Sequence, residues 1–207
     1  MMGGLIMAHG DDAGLRVPPR IAAVQVVVLV VKDDDDHTVS EAARRIHRQL
    51  VDAGVRSRLD EQVSTAFGRR ATDWELKGVP IRIEVGPRDL LEGMAVLRRR
   101  DSDEKLPVPI DALAATVGDQ LGDMQAGMHS AALADRVGRT ADCVSLEEVA
   151  AAGAVGFARV PWSLLDPAAL ERLGRDALSV RCVQTPDGEV PATLDAPENM
   201  AIVARAY

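Results

Sequence analysis

Four short stretches of this sequence carry side chains able to do chemistry. His9-Gly10-Asp11-Asp12 sets an imidazole beside two adjacent carboxylates, a grouping that suits a divalent metal or acid–base work. Asp33-Asp34-Asp35-Asp36 concentrates carboxylates but lacks the spaced acids and glycine of a calcium loop, so it reads as a solvated loop. Glu75, Lys77 and Arg82 place one carboxylate and two cations close together in the chain, with Arg69 and Arg70 just before them. By residue type alone, that group is either a polar recognition surface or a set of charges facing water. Gly86-Pro87-Arg88-Asp89 could hold a phosphate at a helix start, although glycine, proline and a capping aspartate equally make an ordinary turn, the reading preferred here. Cys143 and Cys182 are too few for a disulfide scaffold or a four-thiolate metal site.

These groups need a scaffold, and the hydrophobic pattern supplies one. Residues 20–31 (RIAAVQVVVLVV) form a β-branched run that reads as a strand buried on both faces. A helix should follow from Thr38 or Ser40 through Ile46 and Leu50, ending at Gly54. Residues 55–59 alternate as a second strand, residues 67–77 read as a helix stopped by Gly78, and residues 79–85 (VPIRIEV) alternate as a half-buried strand. Thus Glu75 and Lys77 fall at a helix end and its turn, with Arg82 on the strand that follows. A short helix near residue 87 and a strand over 94–100 complete an α/β domain with a mixed sheet. Beyond Pro109, residues 110–137 carry apolar side chains at three- and four-residue spacing, the pattern of a long amphipathic helix. A smaller α+β domain follows, with strands near 155–160 and 178–183. Cys182 in the second of these is expected to be a buried small hydrophobe.

Composition narrows the possibilities. The chain has 207 residues, 47% apolar and 27% charged, and is therefore expected to bury a core. No apolar run reaches the length of a membrane span, and the first residues show no basic region or cleavage site of a secretory signal, so a cytoplasmic protein without membrane partners is expected. The net charge of −8 argues against non-specific DNA binding. That charge is uneven: residues 41–105 carry net +2, whereas the segments before and after carry −3 and −7.

Three segments are more specific than any periodicity. They are residues 4–26 (GLIMAHGDDAGLRVPPRIAAVQV), residues 73–90 (DWELKGVPIRIEVGPRDL) with 98–105 (RRRDSDEK), and residues 156–162 (GFARVPW) with the terminal 204–207 (ARAY). In this order they resemble the C-terminal half of the archaeal/eukaryotic-type prolyl-tRNA synthetases, which are class II enzymes. The resemblance implies that residues 1–19 are the tail of a catalytic domain at the end of motif 3. It further implies an α/β anticodon-binding domain at 20–109, connecting helices at 110–150 and a C-terminal α+β domain at 151–207. Motifs 1 and 2 are not found in this sequence, so the chain alone is expected to be inactive in prolyl-tRNA formation. ATP and Mg²⁺ would belong only to a complete catalytic domain.

The resemblance also assigns roles. Proline anticodons carry two guanines in an exposed loop, where proteins read base edges directly. A guanine's N1–H and N2–H donors suit a carboxylate, and its O6 and N7 suit Arg or Lys. Glu75, Lys77 and Arg82 match the family's guanine-reading positions. The family's stacking aromatic corresponds to Ala71 here, which leaves Phe67, one turn earlier, as the candidate replacement. Arg69 and Arg70 are candidate phosphate contacts. Tyr207 matches a terminal tyrosine whose carboxylate reaches the active site. Without a catalytic domain beside it, the His9–Asp12 stretch is expected to be an unanchored tail.

Many relatives hold a structural zinc on four cysteines in the last domain. Here Ser163, residues 167–169 and residues 196–200 stand in those places, so no zinc is expected. The implied partners are the tRNA(Pro) anticodon stem-loop and a separate catalytic-domain chain. A free-standing anticodon-binding-like module, or a remnant without a tRNA role, is the alternative. A metal-dependent hydrolase built on His9, Asp11 and Asp12 ranks third.

Overall fold

The computed structural model describes residues 2–33, 37–102, 104–194 and 196–205. The chain divides into two compact units, residues 1–130 and 131–207. Tyr207 and Asp34–Asp36, named above, lie outside the described residues.

The first unit begins with helix α1 (Met2–His9) and a two-residue-per-strand hairpin, β1 (Gly10–Asp11) and β2 (Gly14–Leu15). Then come β3 (Val26–Val30), α2 (Thr38–Asp52), β4 (Ser57–Asp60), α3 (Phe67–Leu76), β5 (Ile81–Val85), α4 (Pro87–Leu91), β6 (Met94–Arg99) and β7 (Lys105–Pro109). The five strands lie in the order β4-β3-β5-β6-β7, parallel among the first three and antiparallel thereafter. Every residue of β3 is fully buried, as its unbroken β-branched run requires of a central strand covered on both faces. Val26, Val28 and Val30 join Ile81, Ile83 and Val85 beneath Ala43, Ile46 and Leu50 of α2. Helix α5 (Leu113–Gly138) adds Leu113, Val117 and Leu121 to that core. The opposite face carries Val27 and Leu29 in the centre, with α3 packed on β3. The mixed sheet with flanking helices is the α/β architecture that the strand–helix alternation of the sequence implies.

In the second unit, β8 (Thr140–Asp142), α6 (Leu146–Val155), β9 (Phe157–Pro161), α7 (Pro167–Arg175), β10 (Leu178–Gln184) and β11 (Met200–Arg205) follow. The sheet order is β10-β11-β9-β8. Ser145 caps α6 by accepting from the Glu148 N–H, while the Glu148 carboxylate accepts from the Val144 N–H. Asp166 caps α7 through the Ala169 N–H at 2.7 Å.

Two expectations change here. β8 pairs in parallel with β9, so it and α6 are part of the second unit rather than connecting structure before residue 151. A three-residue strand, Thr-Ala-Asp, is too short to show any period. Cys182 is exposed, not buried. The register of β10 against β11 shifts between Val180 and Cys182, and that bulge on an edge strand redirects the side chain.

Candidate nucleic-acid interface

Helix α3 ends where Gly78 takes a positive φ of 73° and its N–H returns to the Glu75 carbonyl at 2.9 Å. The chain then turns into β5, whose alternation buries Ile81, Ile83 and Val85 and sends Arg82 and Glu84 to the other face. Glu75 and Arg82 consequently open onto one cavity of about 280 Å³. Trp74 and Val79 form part of its wall, and residues 98–102 form another. The Arg82 guanidinium is 14% exposed, donates to Glu84 Oε1 at 2.9 Å and to the Ala71 carbonyl at 3.3 Å, and lies 3.9 Å from Glu75 Oε2. Glu75 is more open, at 41%. One carboxylate and one cation therefore face the same space, close enough at 3.9 Å to pair with each other.

Strand pairing adds cations that residue spacing did not reveal. Arg82 is the register partner of Arg98 on β6, and Arg98 is the partner of Lys105 on β7. The three form one cross-strand row. Of the arginines around the cavity, Arg82 is paired with Glu84, Arg99 with Asp101, and Arg16 and Arg100 with Asp11. Arg98 has no such partner among the described residues.

The remaining candidates separate. Lys77 is exposed outside the cavity wall, its ammonium 4.3 Å from the centre of the Trp74 ring. Phe67 is half-buried and does not line the cavity. Arg69 is exposed. Arg70 is a correction: its side chain is 4% exposed and its donors are used inside the fold. They reach Asp60 Oδ1 at 2.9 Å, the Thr65 carbonyl at 3.0 Å and the Val30 carbonyl at 2.7 Å, leaving no face for a phosphate. Asp60 also accepts from the Trp74 indole N–H at 2.7 Å. Burial pushes the Asp60 carboxyl up, but hydrogen bonds from Trp74, Arg70 and the Gln62 N–H outweigh it and hold the group below the ordinary range.

The first residues are anchored rather than loose. Asp11 takes a bidentate pair from Arg100, at 2.6 and 3.0 Å, which holds its carboxyl below the usual range. Burial, with Arg16 nearby, lowers the His9 imidazole. Asp11, already neutralised by two arginines, is a poor metal ligand or base. Among the described residues, no group of three or more His, Cys, Asp or Glu side chains is placed to hold a metal.

The places of the implied zinc thiolates do not fit that ion. Ser163, Asp166, Ala196 and Pro197 meet there, with the Asp166 carboxylate serving as the α7 cap. Asn199, 1% exposed, ties this region instead. Its side-chain amide donates to the Thr193 carbonyl at 2.7 Å and the Leu194 carbonyl at 3.1 Å, and its backbone carbonyl accepts from the Trp162 N–H at 2.8 Å.

Residues 25–120 match the family described as the anticodon binding domain. Along its full length the chain is 52% identical to a proline–tRNA ligase of Frankia alni and 51% identical to one of Frankia casuarinae, covering 44% of each. It is 35% identical to the chloroplastic/mitochondrial proline–tRNA ligase of Arabidopsis thaliana, covering 40% of that protein. The chain thus spans less than half the length of these curated relatives. No helix among the described residues is long and apolar enough to cross a membrane. Residues 25–120 are thus similar to the anticodon binding domain family, and the whole chain is similar to part of the proline–tRNA ligases.

Proposed function

We propose that this chain binds the anticodon stem-loop of the proline tRNA and supplies anticodon recognition to a cytoplasmic proline–tRNA ligase. The observation that carries this reading is the shared cavity of Glu75 and Arg82. Glu75 would accept from the N1–H and N2–H of a guanine, and Arg82 would donate to O6 or N7 of the same or the adjacent base. Arg82 is braced by Glu84 and the Ala71 carbonyl, so little side-chain freedom is lost when a base arrives. Lys77, exposed outside the cavity wall, would offer its ammonium to an acceptor on the second base, and the exposed Arg69 of α3 would meet a phosphate. Ala71 is buried and offers no ring. The indole of Trp74 is the flat surface that the cavity itself presents.

Prolylation, with its ATP and Mg²⁺, is assigned in this reading to the portion of the enzyme that corresponds to the rest of the relatives' length. Binding of the chain to a stem-loop whose anticodon carries GG, compared with one carrying AA, tests the reading. A clear preference for GG at fixed salt is expected. Equal affinity for both would sink it.

A further inference from the structure

The match to the anticodon-binding family starts at residue 25, yet the cavity has a wall made of earlier residues. Asp11, Ala13 and Arg16 line it together with Glu75 and Arg82. The hairpin β1–β2 is seated there by close packing. Gly14, with φ 114°, approaches Leu76 so closely that a Cβ would stand 2.9 Å from the Leu76 Cα. A Cβ on Gly78 would stand 2.5 Å from the Leu15 carbonyl oxygen. The Val17 N–H closes the contact by donating to the Gly78 carbonyl at 3.1 Å.

A polar relay runs from this hairpin to the backbone of Glu75. Arg100, 6% exposed, gives two donors to Asp11 and its Nε to the Glu75 carbonyl at 3.2 Å. That carbonyl also accepts from Gly78 N–H, so both of its lone pairs are used. The Arg100 backbone N–H donates to the Pro80 carbonyl at 2.9 Å, on the far side of the same turn. The Asp11 carboxylate is what holds the Arg100 head in that orientation, since Arg100 has no other anionic partner among the described residues. Arg16 flanks Asp11 at 3.5 Å, and its Nε is buried without a hydrogen bond.

We infer that the β1–β2 hairpin is a working part of the base-reading site, in which Asp11, acting through Arg100, positions the turn that presents Glu75. This rests on the anticodon reading above and deepens it. Asp11 touches no base; it is a positioning residue. Selectivity for guanine then depends on a segment outside the family's matched region, one that joins the reading turn to the α1 end of the chain.

The test uses the full chain with Asp11→Asn and Asp11→Glu. Amide hydrogen exchange in the free protein reads positioning without any RNA. Asp11→Asn is expected to speed exchange at Gly78 and Val17 while leaving β3 unchanged, and Asp11→Glu to restore part of the protection. Titration with the GG and AA stem-loops reads the consequence: the GG/AA affinity ratio should fall by roughly 3- to 10-fold in Asp11→Asn, as for a weakened hydrogen-bonded support of a charged contact. Unchanged exchange at Gly78 and Val17 would overturn the inference whatever the RNA does. Faster exchange with an intact ratio would overturn the link to selectivity, and leaves anticodon reading standing. A wild type that binds both loops equally would sink the anticodon reading and this selectivity with it.

Discussion

Arg82 and Arg98 are register partners on adjacent antiparallel strands, side by side on the same sheet face, but among the described residues only Arg82 has its charge matched. Glu84 accepts from the Arg82 guanidinium at 2.9 Å, whereas Arg98 lines the cavity without an ion pair among the described residues. An unmatched cation beside a braced one divides the labour: the braced arginine suits a directional contact to a base edge, and the unmatched one suits a phosphate.

This division makes Arg98 the residue that salt should report. Arg98→Ala is expected to weaken both GG and AA stem-loops to the same extent and to lower the slope of log affinity against log salt by about 0.7–0.9, the contribution of one phosphate contact. Salt titrations of the two loops with wild type and variant measure it. A changed GG/AA ratio would place Arg98 on a base instead.

Arg82 and Glu75 should behave the other way. Each well-formed base contact contributes roughly 1–3 kcal/mol, so Arg82→Ala is expected to weaken the GG loop about 5- to 150-fold and the AA loop far less. Glu75→Ala should shift the ratio in the same sense. Because Glu84 loses its partner in Arg82→Ala, the melting temperature of that variant belongs beside the titration, and the ratio carries the conclusion.

Arg70 and its neighbour Arg69 have identical chemistry and opposite fates. Removing Arg70 strands the Asp60 carboxylate and the Val30 carbonyl inside the fold, so Arg70→Met should cost about 3–5 kcal/mol. Arg69→Ala is expected to change stability by less than about 0.5 kcal/mol and to reduce the salt slope of RNA binding. Denaturant melts and salt titrations on both variants separate the two roles, and a stable Arg70→Met would contradict this one.

The second unit offers a test of what replaces a metal. Asn199→Ala leaves the carbonyls of Thr193 and Leu194 without their donor, at an expected cost of about 1–3 kcal/mol. Neither added zinc nor a chelator should move the melting temperature of the wild type. Stoichiometric zinc by elemental analysis, or a melt that responds to chelator, would show that another set of groups binds it.

How much of this was legible follows from what each feature depends on. β3 was plain, because five apolar residues in succession report burial without reference to any partner strand. So was the placement of Glu75 at a helix end and Arg82 on the strand after it, since Gly78 stops one element and alternation marks the next. The Arg82–Arg98–Lys105 row was not legible, because it exists only once β5, β6 and β7 are paired in register. The burial of Arg70 is hidden for a related reason. An arginine beside another arginine on a polar-looking helix shows no sign that a carboxylate ten residues earlier and a strand carbonyl will bury it. Asp11 reads in the sequence as part of a loose tail, because its partner Arg100 lies 89 residues away.

The same Asp60 that holds Arg70 makes the stability of the first unit depend on pH in the acid range. Its carboxyl is held below the ordinary range in the fold, where burial opposes ionisation but the Trp74 indole, the Arg70 guanidinium and the Gln62 N–H outweigh it. Unfolded, the group returns to about 3.9. In the window between the two values the unfolded chain binds more protons than the folded one, so stability rises with pH there. The contribution is complete above the unfolded value and disappears as pH falls through the folded one. Asp60→Asn should therefore melt well below wild type at pH 7, and the gap between them should narrow as the pH is lowered beneath about 4. Thermal melts of both proteins from pH 7 down to the acid limit of wild type measure that gap. A gap constant across the range would show that the shape of the side chain, rather than its charge, holds Arg70 and Trp74 in place.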